Sequence, residues 1–426
     1  MRISLMIFFD LDGTLYRTHE TSLPVLRLLC DSYGITHTKE DEERFLTTTT
    51  DAFLERAAPD MPVARREEFK VDLRRNEREA VRTGGRLFEG AGEMLVELRA
   101  AGFSLAICGM GSEEYIRCVL DRCGIRDFFD AVLCRIDGKT KSQVLSEFLG
   151  KRQLRPEDCI LIGDSNTDFV AAKDNCIPFI GVSYGYGVAD IKDKAVMTDS
   201  MTQIIDEIYK TLIYARIEKD IKIGHKSIVI GISGVDASGK TFFADGLGRY
   251  LEQRGLHNQI IHLDDFHNPR TIRKRDDSSQ GYIDFAFNLQ QLHSVLTEIK
   301  SGSMDRDITV LDLDSDTYTK TIHLSSKRNT IFILEGVMLF RPPIVDLIDY
   351  KVYLDIDFDE VIRRAGKRDV PKYGTGILDR YASRYIPAQQ LFMSTYKPRE
   401  TCDLLIDNDD YRRPQVIHSH PPICPT

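Results

Sequence analysis

Residues that could bind phosphate stand together just past the middle of the chain, in the segment GVDASGKT at 234–241. This segment fits the pattern G-x-x-x-x-G-K-[ST], in which backbone amides approach a phosphate closely, the lysine neutralises its charge and the hydroxyl binds a metal ion. An apolar run, KSIVIGISG, leads into it, and FFADGLGRYLEQRG follows. The order strand, loop, helix is the context that the motif requires, so the segment predicts binding of a nucleoside triphosphate.

We assign the contacts within this loop from the chemistry of its residues. The amides of 236–241 would surround the β-phosphate at the positive end of a helix, Lys240 would neutralise the β- and γ-phosphates, and Thr241 would bind Mg2+. Lys240 is therefore a predicted catalytic residue. The predicted ATP contacts in the loop are Gly234, Asp236, Ala237, Ser238, Gly239, Lys240 and Thr241.

Carboxylates that could hold a metal ion follow two apolar strands in the first half of the chain. Asp10 and Asp12 come directly after the predicted strand 5–9, and the alternation along an extended chain turns both side chains the same way. Asp164 and Asp168 stand between the apolar run CILIG and a predicted helix. Because Mg2+ prefers oxygen ligands, these acids predict a magnesium site.

The segments FFDLDGTLY and IGDSNTDFVAA resemble motifs one and four of the haloacid dehalogenase-like (HAD) phosphatases, and the similarity spans roughly residues 1–200. The resemblance implies that Asp10 attacks phosphorus to form an aspartyl-phosphate. It also implies that Asp12 protonates the leaving oxygen and then activates water. Mg2+ would lie between Asp10, the backbone carbonyl of Asp12 and Asp164, with Asp168 in the same acidic group.

The same resemblance requires two further groups between those motifs. A lysine should hold the nucleophile and the phosphate together; DGKTKSQVLSEFL offers Lys139 and Lys141, and we choose Lys141 because it begins the apolar helical pattern. Motif two should end the strand FSLAIC with a serine or threonine hydroxyl, but Cys108 stands there and GMGS follows. A thiol is a poor hydrogen-bond donor. Either Gly109, Ser112 and the backbone amides replace the hydroxyl in binding phosphate, or the phosphatase is slow or inactive.

Acids also follow strands in the second half of the chain, Asp264 in HNQIIHLDDFHNPR and Glu335 in NTIFILEGVMLF. With the phosphate loop, RRAGKRD and CDLLIDN, these segments resemble the uridine kinase and phosphoribulokinase-like branch of the P-loop kinases over roughly 225–410. The resemblance implies that Asp264 is the general base toward the acceptor hydroxyl and that Glu335 is the acid near Mg2+. It also implies a lid that carries Arg364 and Arg368 on one helical face as ATP contacts. A solvated basic helix face is the alternative.

The stretch SSQGYIDFAFNLQQL, residues 278–292, takes the place where such kinases hold their acceptor. The predicted acceptor contacts in and before it are Asp264, Phe266, Tyr282, Asp284 and Phe285. Nucleoside kinases follow the R-D of the lid with an arginine-rich run, whereas this chain reads RDVPKYGTGILDRY. The acceptor therefore stays open between a nucleoside, a sugar and a vitamin alcohol.

The length of 426 residues favours two domains of about 200 residues each. We predict an α/β protein in which residues 1–205 form a Rossmann-like HAD core with a helical cap at about 16–85. A helical connector at 206–225 should lead to a P-loop NTPase-type parallel sheet sandwich at 226–426. A cap that closes over the phosphate favours a small phosphorylated metabolite over a polymer.

Composition limits the partners and the compartment. The chain is 42% hydrophobic without a run of 18 apolar residues, so no membrane partner is expected. Nine cysteines without a C-x-x-C pair suit free thiols in the cytoplasm. A net charge of -9 disfavours nucleic acid, which leaves a small phosphate ester and a nucleoside-like hydroxyl acceptor as partners. A homo-oligomer is compatible with the sequence, which does not set the oligomeric state.

Three functions follow from these features. The leading hypothesis is a bifunctional enzyme whose first domain removes a phosphate and whose second domain transfers one from ATP. A polynucleotide kinase 3'-phosphatase also pairs these two folds, but it needs an open site and a basic groove for the strand. In a third alternative, suggested by Cys108, the first domain senses a phosphorylated metabolite without turnover.

Overall fold

The computed structural model describes residues 5–221, 224, 226–327 and 329–419. The chain divides into two compact units, Met1–Ile208 and Tyr209–Thr426. Each unit is an α/β domain built on its own six-stranded sheet, which confirms the predicted fold class. The proposed limits of the connector stay a prediction, although Ile213, Tyr214 and Ile217 of the predicted connector pack into the hydrophobic core of the second unit.

The sheet of the first unit is parallel throughout and has the strand order β3-β2-β1-β4-β5-β6. Apolar runs form its central strands, which are buried on both faces as the interior strands of parallel sheets are. Because neighbouring strands run the same way, their carboxyl ends lie at one edge, where β1 and β4 deliver the acids at 10–12 and 164. The strands are β1 (Met6–Phe9), β2 (Ser104–Cys108), β3 (Ala131–Leu133), β4 (Cys159–Gly163), β5 (Phe179–Val182) and β6 (Val196–Thr198).

Helices fill the first unit between these strands. Four of them, α1 to α4, follow β1 directly and share an apolar core of their own that includes Leu26, Leu54 and Phe69, as expected for a cap. Capping boxes begin α2, α7 and α8, which fixes where these helices start. The helices are α1 (Thr18–Tyr33), α2 (Lys39–Phe45), α3 (Thr50–Ala57), α4 (Val63–Gly84), α5 (Ala91–Ala100), α6 (Glu113–Arg122), α7 (Lys141–Arg152) and α8 (Asn166–Asp174). A further helix, α9 (Met201–Asp220), follows β6; it begins in the first unit and ends in the second.

The sheet of the second unit has the order β14-β13-β12-β7-β11-β8, and β9 pairs with β10 in a separate antiparallel hairpin. All neighbours in the six-stranded sheet run parallel except β13 and β14. The strands are β7 (Ile228–Gly234), β8 (Asn258–His262), β9 (Asp305–Asp312), β10 (Thr317–Ser325), β11 (Ile331–Gly336), β12 (Tyr350–Asp355), β13 (Leu404–Asp407) and β14 (Gln415–Ser419).

The helices of the second unit lie between its strands, and a π-helical turn at Tyr381–Tyr385 leads into α17. They are α10 (Lys240–Gln253), α11 (Arg270–Arg273), α12 (Ser279–Phe285), α13 (Leu289–Ser301), α14 (Phe358–Arg368), α15 (Val370–Tyr373), α16 (Gly376–Arg380), α17 (Ile386–Tyr396) and α18 (Pro398–Thr401). The proline-rich segment RRPQVIHSHPPICPT predicts that His418 and His420 are disordered surface residues rather than metal ligands. The prediction of disorder is wrong for His418, because β14 pairs antiparallel with β13 and satisfies its backbone. His420, which was interpreted in the same way, lies outside the described residues.

Candidate active sites

A buried lysine joins the two acidic motifs of the first unit. Lys141, the first residue of α7, donates from Nζ to Asp10 Oδ1 at 2.6 Å and also to Asp168 Oδ1. Only 4% of its side chain is exposed. Burial lowers the pKa of Lys141, but Asp10 and Asp168 outweigh this effect and hold the pKa well above its usual value. The ammonium is therefore charged at the end of β1, whereas Lys139 pairs with Glu147 on the surface.

Three carboxylates form the group that could hold a metal ion. Asp10, Asp164 and Asp168 each bring an oxygen within 4.8 Å of the others. Asp168 is already engaged on both oxygens, by Lys141 and by the amide and hydroxyl of Ser165. Asp10 and Asp164 are thus the carboxylates best placed to bind Mg2+ directly, while Asp168 orients the lysine. Oxygen donors of this kind fit a hard divalent cation.

The loop after β5 fixes the orientation of Asp164, a role that was not predicted from the sequence. Asp164 Oδ2 accepts the amides of Tyr186 at 2.6 Å and of Gly187 at 3.3 Å. A Cβ at Gly185 would lie 2.1 Å from Asp164 Cβ, so only glycine allows the loop to approach so closely. Burial, followed by the charge of Asp168, raises the pKa of Asp164 to about 6. Among the signals in the sequence, only the run SYGYG marked a turn here.

Asp12 is held by two hydroxyl groups. Its Oδ1 accepts Thr18 Oγ1 at 2.5 Å and Tyr115 Oη at 2.8 Å. Tyr115 belongs to α6, which Ser112 caps by accepting the Tyr115 amide at 3.3 Å. Burial raises the pKa of Asp12, and the hydrogen bonds from Thr18 and Tyr115 oppose that rise. Both of these hydrogen bonds engage Oδ1, and within the described part of the chain no hydrogen bond engages Oδ2.

Cys108 ends β2 beside this site and is 1% exposed. Burial raises the pKa of its thiol to about 12, so the sulfur stays protonated at neutral pH. Gly109 follows it, and a Cβ there would lie 3.3 Å from Ile116 Cδ1. The charges of Lys141, Asp168 and Asp10 also act on the pKa of this thiol. The Oγ of the predicted substitute Ser112 serves as the helix cap.

The phosphate loop of the second unit has the expected geometry. Gly234 ends β7 and Lys240 begins α10, so the loop amides face the amino end of a helix. Ala237 and Gly239 adopt positive φ angles of 56° and 91°. Lys240 Nζ donates to Val235 O at 2.8 Å and contacts Ser238 Oγ at 3.4 Å, which folds the side chain over the loop. Burial lowers the pKa of Lys240.

Thr241 and Glu335 lie together at the carboxyl edge of the sheet, as the metal-binding prediction requires. Thr241 Oγ1 donates to Glu335 Oε1 at 3.3 Å, and His262 Nδ1 lies 2.8 Å from the same oxygen. The hydrogen bond with Glu335 raises the pKa of His262. His262 was not predicted; it ends β8 one residue before the LDDF segment, and a histidine in an apolar strand was the available signal.

The two arginines of the predicted lid have different surroundings. Arg364 donates to the carbonyl of Ala237 at 3.2 Å and to the carbonyls of Asn408 and Asp409. It therefore joins the phosphate loop to the segment that follows β13. Arg368 pairs with Asp369 and donates to Tyr381 Oη at 3.0 Å. Asn408 Nδ2 adds a hydrogen bond to Ser238 O at 2.6 Å. In this structure Arg364 supports the loop rather than folding over it.

The predicted acceptor residues lie on different elements and differ in exposure. Tyr282 packs on Tyr385 with ring centroids 5.5 Å apart, and both Asp236 and Asp264 act on its phenol. Asp264, whose side chain is 69% exposed, lies in the turn after β8. Phe285 is partly exposed, and its carbonyl accepts Asn268 Nδ2 at 3.0 Å.

One acceptor prediction is wrong because of burial. Phe266 is 1% exposed within the hydrophobic core, so its ring cannot face a ligand. Asp284 is exposed on α12, accepts Gln280 Nε2 at 2.9 Å and lines a cavity of about 330 Å³ with Asn288. Its contact with the acceptor stays a prediction.

Gln389 is the residue that sequence reasoning missed most clearly. It is 2% exposed on α17, and it hydrogen bonds with both the backbone and the side chain of Asp236. The two positions are far apart in sequence, and glutamine has no distinctive spacing, so the sequence contained no signal for this contact.

The part of the chain that is described contains no helix both long and apolar enough to cross a bilayer.

Comparison with known proteins supports two families in succession along the chain. Residues 7–182 match the family model of haloacid dehalogenase-like hydrolases, and residues 229–398 match that of the phosphoribulokinase / uridine kinase family. A phosphoglycolate phosphatase of Vibrio vulnificus is 28% identical over 222 residues, which are 48% of this chain and 95% of that protein.

Two further relatives match one part of the chain each. A uridine kinase of Limosilactobacillus reuteri is 30% identical over 172 residues, or 39% of this chain and 75% of the relative. The tyrosine-protein kinase PtkA of Mycobacterium tuberculosis is 34% identical over 132 residues, or 30% of this chain. The match spans only 45% of PtkA.

Proposed function

Because the chain joins a haloacid dehalogenase-like hydrolase domain to a domain of the phosphoribulokinase and uridine kinase family, we propose that it is a bifunctional enzyme. The first domain hydrolyses a small phosphate monoester with Mg2+, and the second transfers the γ-phosphate of ATP to a small hydroxyl compound, a nucleoside or a related molecule. The observation that carries the proposal is the buried Lys141 that joins Asp10 to Asp168 beside Asp164.

The phosphatase reaction would begin at Asp10. Its carboxylate attacks phosphorus, the bond to the leaving oxygen breaks, and Asp12 gives that oxygen a proton. A water molecule then attacks the aspartyl-phosphate, Asp12 takes its proton, and phosphate leaves. Lys141 favours the ionised form of Asp10 and offsets negative charge on the phosphate. Asp10 and Asp164 would hold Mg2+, which would supply further positive charge to the phosphoryl oxygens.

The kinase reaction would take place at the carboxyl edge of the second sheet. The loop amides and Lys240 hold the phosphates of ATP, and Thr241 with Glu335 would hold the accompanying Mg2+. Asp264 takes the proton of the acceptor hydroxyl as its oxygen attacks the γ-phosphorus and ADP leaves. The exposed position of Asp264 leaves room for an acceptor beside it.

A substrate screen of the full chain tests this proposal. Nucleosides, sugars and vitamin alcohols are incubated with ATP and Mg2+, and phosphate esters that include 2-phosphoglycolate and the kinase products are offered to the phosphatase. We expect Asp10→Asn to abolish ester hydrolysis and Lys240→Ala to abolish phosphoryl transfer. Hydrolysis of no ester by the wild type would instead favour the sensor alternative, and tight salt-sensitive binding of single-stranded DNA would favour the polynucleotide kinase alternative.

A further inference from the structure

The phosphate loop of the second domain contains an acid, Asp236, at its third position. The loop binds phosphate through backbone amides and Lys240, and a carboxylate turned toward the same phosphates would repel them. The side chain must therefore point elsewhere to be compatible with the proposed reaction. Its hydrogen bonds show where it points.

Gln389 fixes the direction of Asp236 at two points. Gln389 Nε2 donates to Asp236 Oδ2 at 2.6 Å, and the Asp236 amide donates to Gln389 Oε1 at 3.0 Å. Since the glutamine is buried on α17, this pair holds the carboxylate toward α17 and away from the amides of the loop. The other oxygen, Asp236 Oδ1, has no hydrogen-bond partner among the described residues.

The helix α17, which holds Asp236 through Gln389, adjoins the predicted acceptor stretch, because Tyr385 directly before α17 packs on Tyr282 of α12 with ring centroids 5.5 Å apart. Burial raises the pKa of Asp236, and among the charges that act on it are those of Lys240 and Asp264. Asp236 and Asp264 also both act on the phenol of Tyr282, which belongs to a third element, α12. The loop, the turn after β8 and α12 thus bring two carboxylates and one phenol into electrostatic reach of one another.

We propose that Asp236 Oδ1 accepts a hydrogen bond from a hydroxyl group of the acceptor, and that Gln389 positions the carboxylate for this contact. This inference rests on the proposed kinase function and goes further by defining the acceptor. Asp264 takes the proton of the hydroxyl that is phosphorylated, so Asp236 binds a second one. The acceptor is then a polyhydroxy compound, such as a ribonucleoside or a sugar, and not a simple alcohol.

Steady-state kinetics of the full chain test the contact. The acceptor found in the screen is compared with analogues that each lack one hydroxyl group; uridine with its 2'-deoxy and 3'-deoxy forms is the first set. Asp236→Asn keeps the shape and an oxygen for Gln389 but loses the charge. Gln389→Ala releases the carboxylate. Gln390→Ala is the matched control, because its side chain is exposed at the next position of α17.

We expect Asp236→Asn to raise KM for the acceptor about 10- to 100-fold, as for loss of a hydrogen bond to a charged group. The KM for ATP should change less than about threefold. Asp236→Asn should not raise KM for the analogue that lacks the contacted hydroxyl. Gln389→Ala should also raise KM for the acceptor, by a smaller factor. Gln390→Ala should behave as the wild type.

Other results would overturn the inference in distinguishable ways. Equal effects of Asp236→Asn on the acceptor and on ATP would make Asp236 a structural residue of the loop. Efficient phosphorylation of a compound with a single hydroxyl would also contradict it. In both cases the proposed kinase function survives. If the wild type phosphorylates no compound, the proposed function has failed and the inference falls with it.

Discussion

Lys141 shows how one side chain can act on the charge state of its neighbour. Burial holds the pKa of Asp10 well above its usual value, and the ammonium of Lys141 opposes that rise. Lys141 therefore favours the ionised form of Asp10, which is the form that can act as a nucleophile. A buried charge of this kind is costly unless it is paired, and here both of its partners belong to the proposed catalytic group.

Replacement of this lysine should therefore remove phosphatase activity. We expect Lys141→Ala to lower kcat for p-nitrophenyl phosphate by about 1000-fold, because Asp10 loses the charge that favours its ionised form and the phosphate loses a positive charge. Lys139→Ala is the control, since that lysine pairs with Glu147 near the surface, and it should stay within twofold of the wild type. Substantial activity of Lys141→Ala would contradict the role of this residue.

A second prediction concerns the sulfur atom of Cys108. A serine hydroxyl in its place donates a stronger hydrogen bond than the thiol, so Cys108→Ser should raise kcat/KM for the phosphate ester by about three- to tenfold. Cys159→Ser is the matched control, because this cysteine is also 1% exposed but begins β4 instead of ending a strand at the site. Equal effects of both changes would show that Cys108 does not face the phosphate.

At the level of elements, loops and helices far apart in the chain brace each site. The loop after β5 holds Asp164 through its amides, and Arg364 of α14 holds the phosphate loop through Ala237 O. These contacts use main-chain groups, so they depend on where each element ends more than on the identity of the residues contacted. The ends of helices, and the glycines that let a loop lie close to a side chain, are therefore part of both candidate sites.

A conservative substitution tests the contact of Arg364 with the phosphate loop. Arg364→Lys keeps the charge but cannot reach three carbonyl groups with one ammonium as the planar guanidinium does. We expect the Kd for a fluorescent ATP analogue to rise about five- to tenfold. Arg363→Lys changes a neighbour that is 53% exposed and pairs with Glu360, and it should leave Kd unchanged. The assay requires no knowledge of the acceptor.

The cap helix α4 should make the first domain sensitive to pH. Burial raises the pKa of Glu77 from 4.5 to about 7, and the charge of Asp12 adds to the rise while Ser22 and Arg74 oppose it. The folded state then binds more protons than the unfolded state between these values, so the free energy of unfolding falls as pH increases from about 4.5 to 7.

Glu77→Gln should remove this loss. The free energy of unfolding of the variant should exceed that of the wild type by a small amount near pH 5 and by at most about 3 kcal/mol above pH 7. Urea denaturation measures this difference, with phosphatase activity as the probe of the first domain. Glu79→Gln, an exposed change on the same helix, is the control and should show no such trend. A pH-independent difference for Glu77→Gln would contradict the prediction.

At the scale of the whole molecule, the chain contains two units with separate sheets and separate cores. Two opposed reactions on the same hydroxyl would only consume ATP. Different positions on one molecule, different molecules in one pathway, and reciprocal regulation all avoid that outcome. The first two arrangements allow each unit to work independently of the other.

Independent function gives a prediction for the full chain. Asp10→Asn should abolish phosphatase activity and leave the kinase rate within twofold, while Lys240→Ala should do the reverse. Both rates are measured on the same preparations, with and without ATP in the phosphatase assay. A change in the phosphatase rate on addition of ATP that Lys240→Ala removes would instead indicate reciprocal regulation.

The sequence by itself determined the local features of this protein. Apolar runs predicted β1, β4, β7 and β11, and short motifs at their ends predicted Asp10, Asp164, the phosphate loop and Glu335, because strand, turn and helix signals lie within a few residues of one another. The choice of Lys141 over Lys139 followed from the helical pattern, and in the structure Lys141 lies against Asp10.

Only the tertiary structure decided which distant residues meet. Gln389 with Asp236, the loop at 185–187 with Asp164, and Tyr115 with Asp12 are each joined by folding alone, and none of these pairs has a spacing that a sequence could reveal. Phe266 was misassigned for the same reason. Burial and helix face depend on what packs against an element, and that is a property of the folded chain rather than of any short segment.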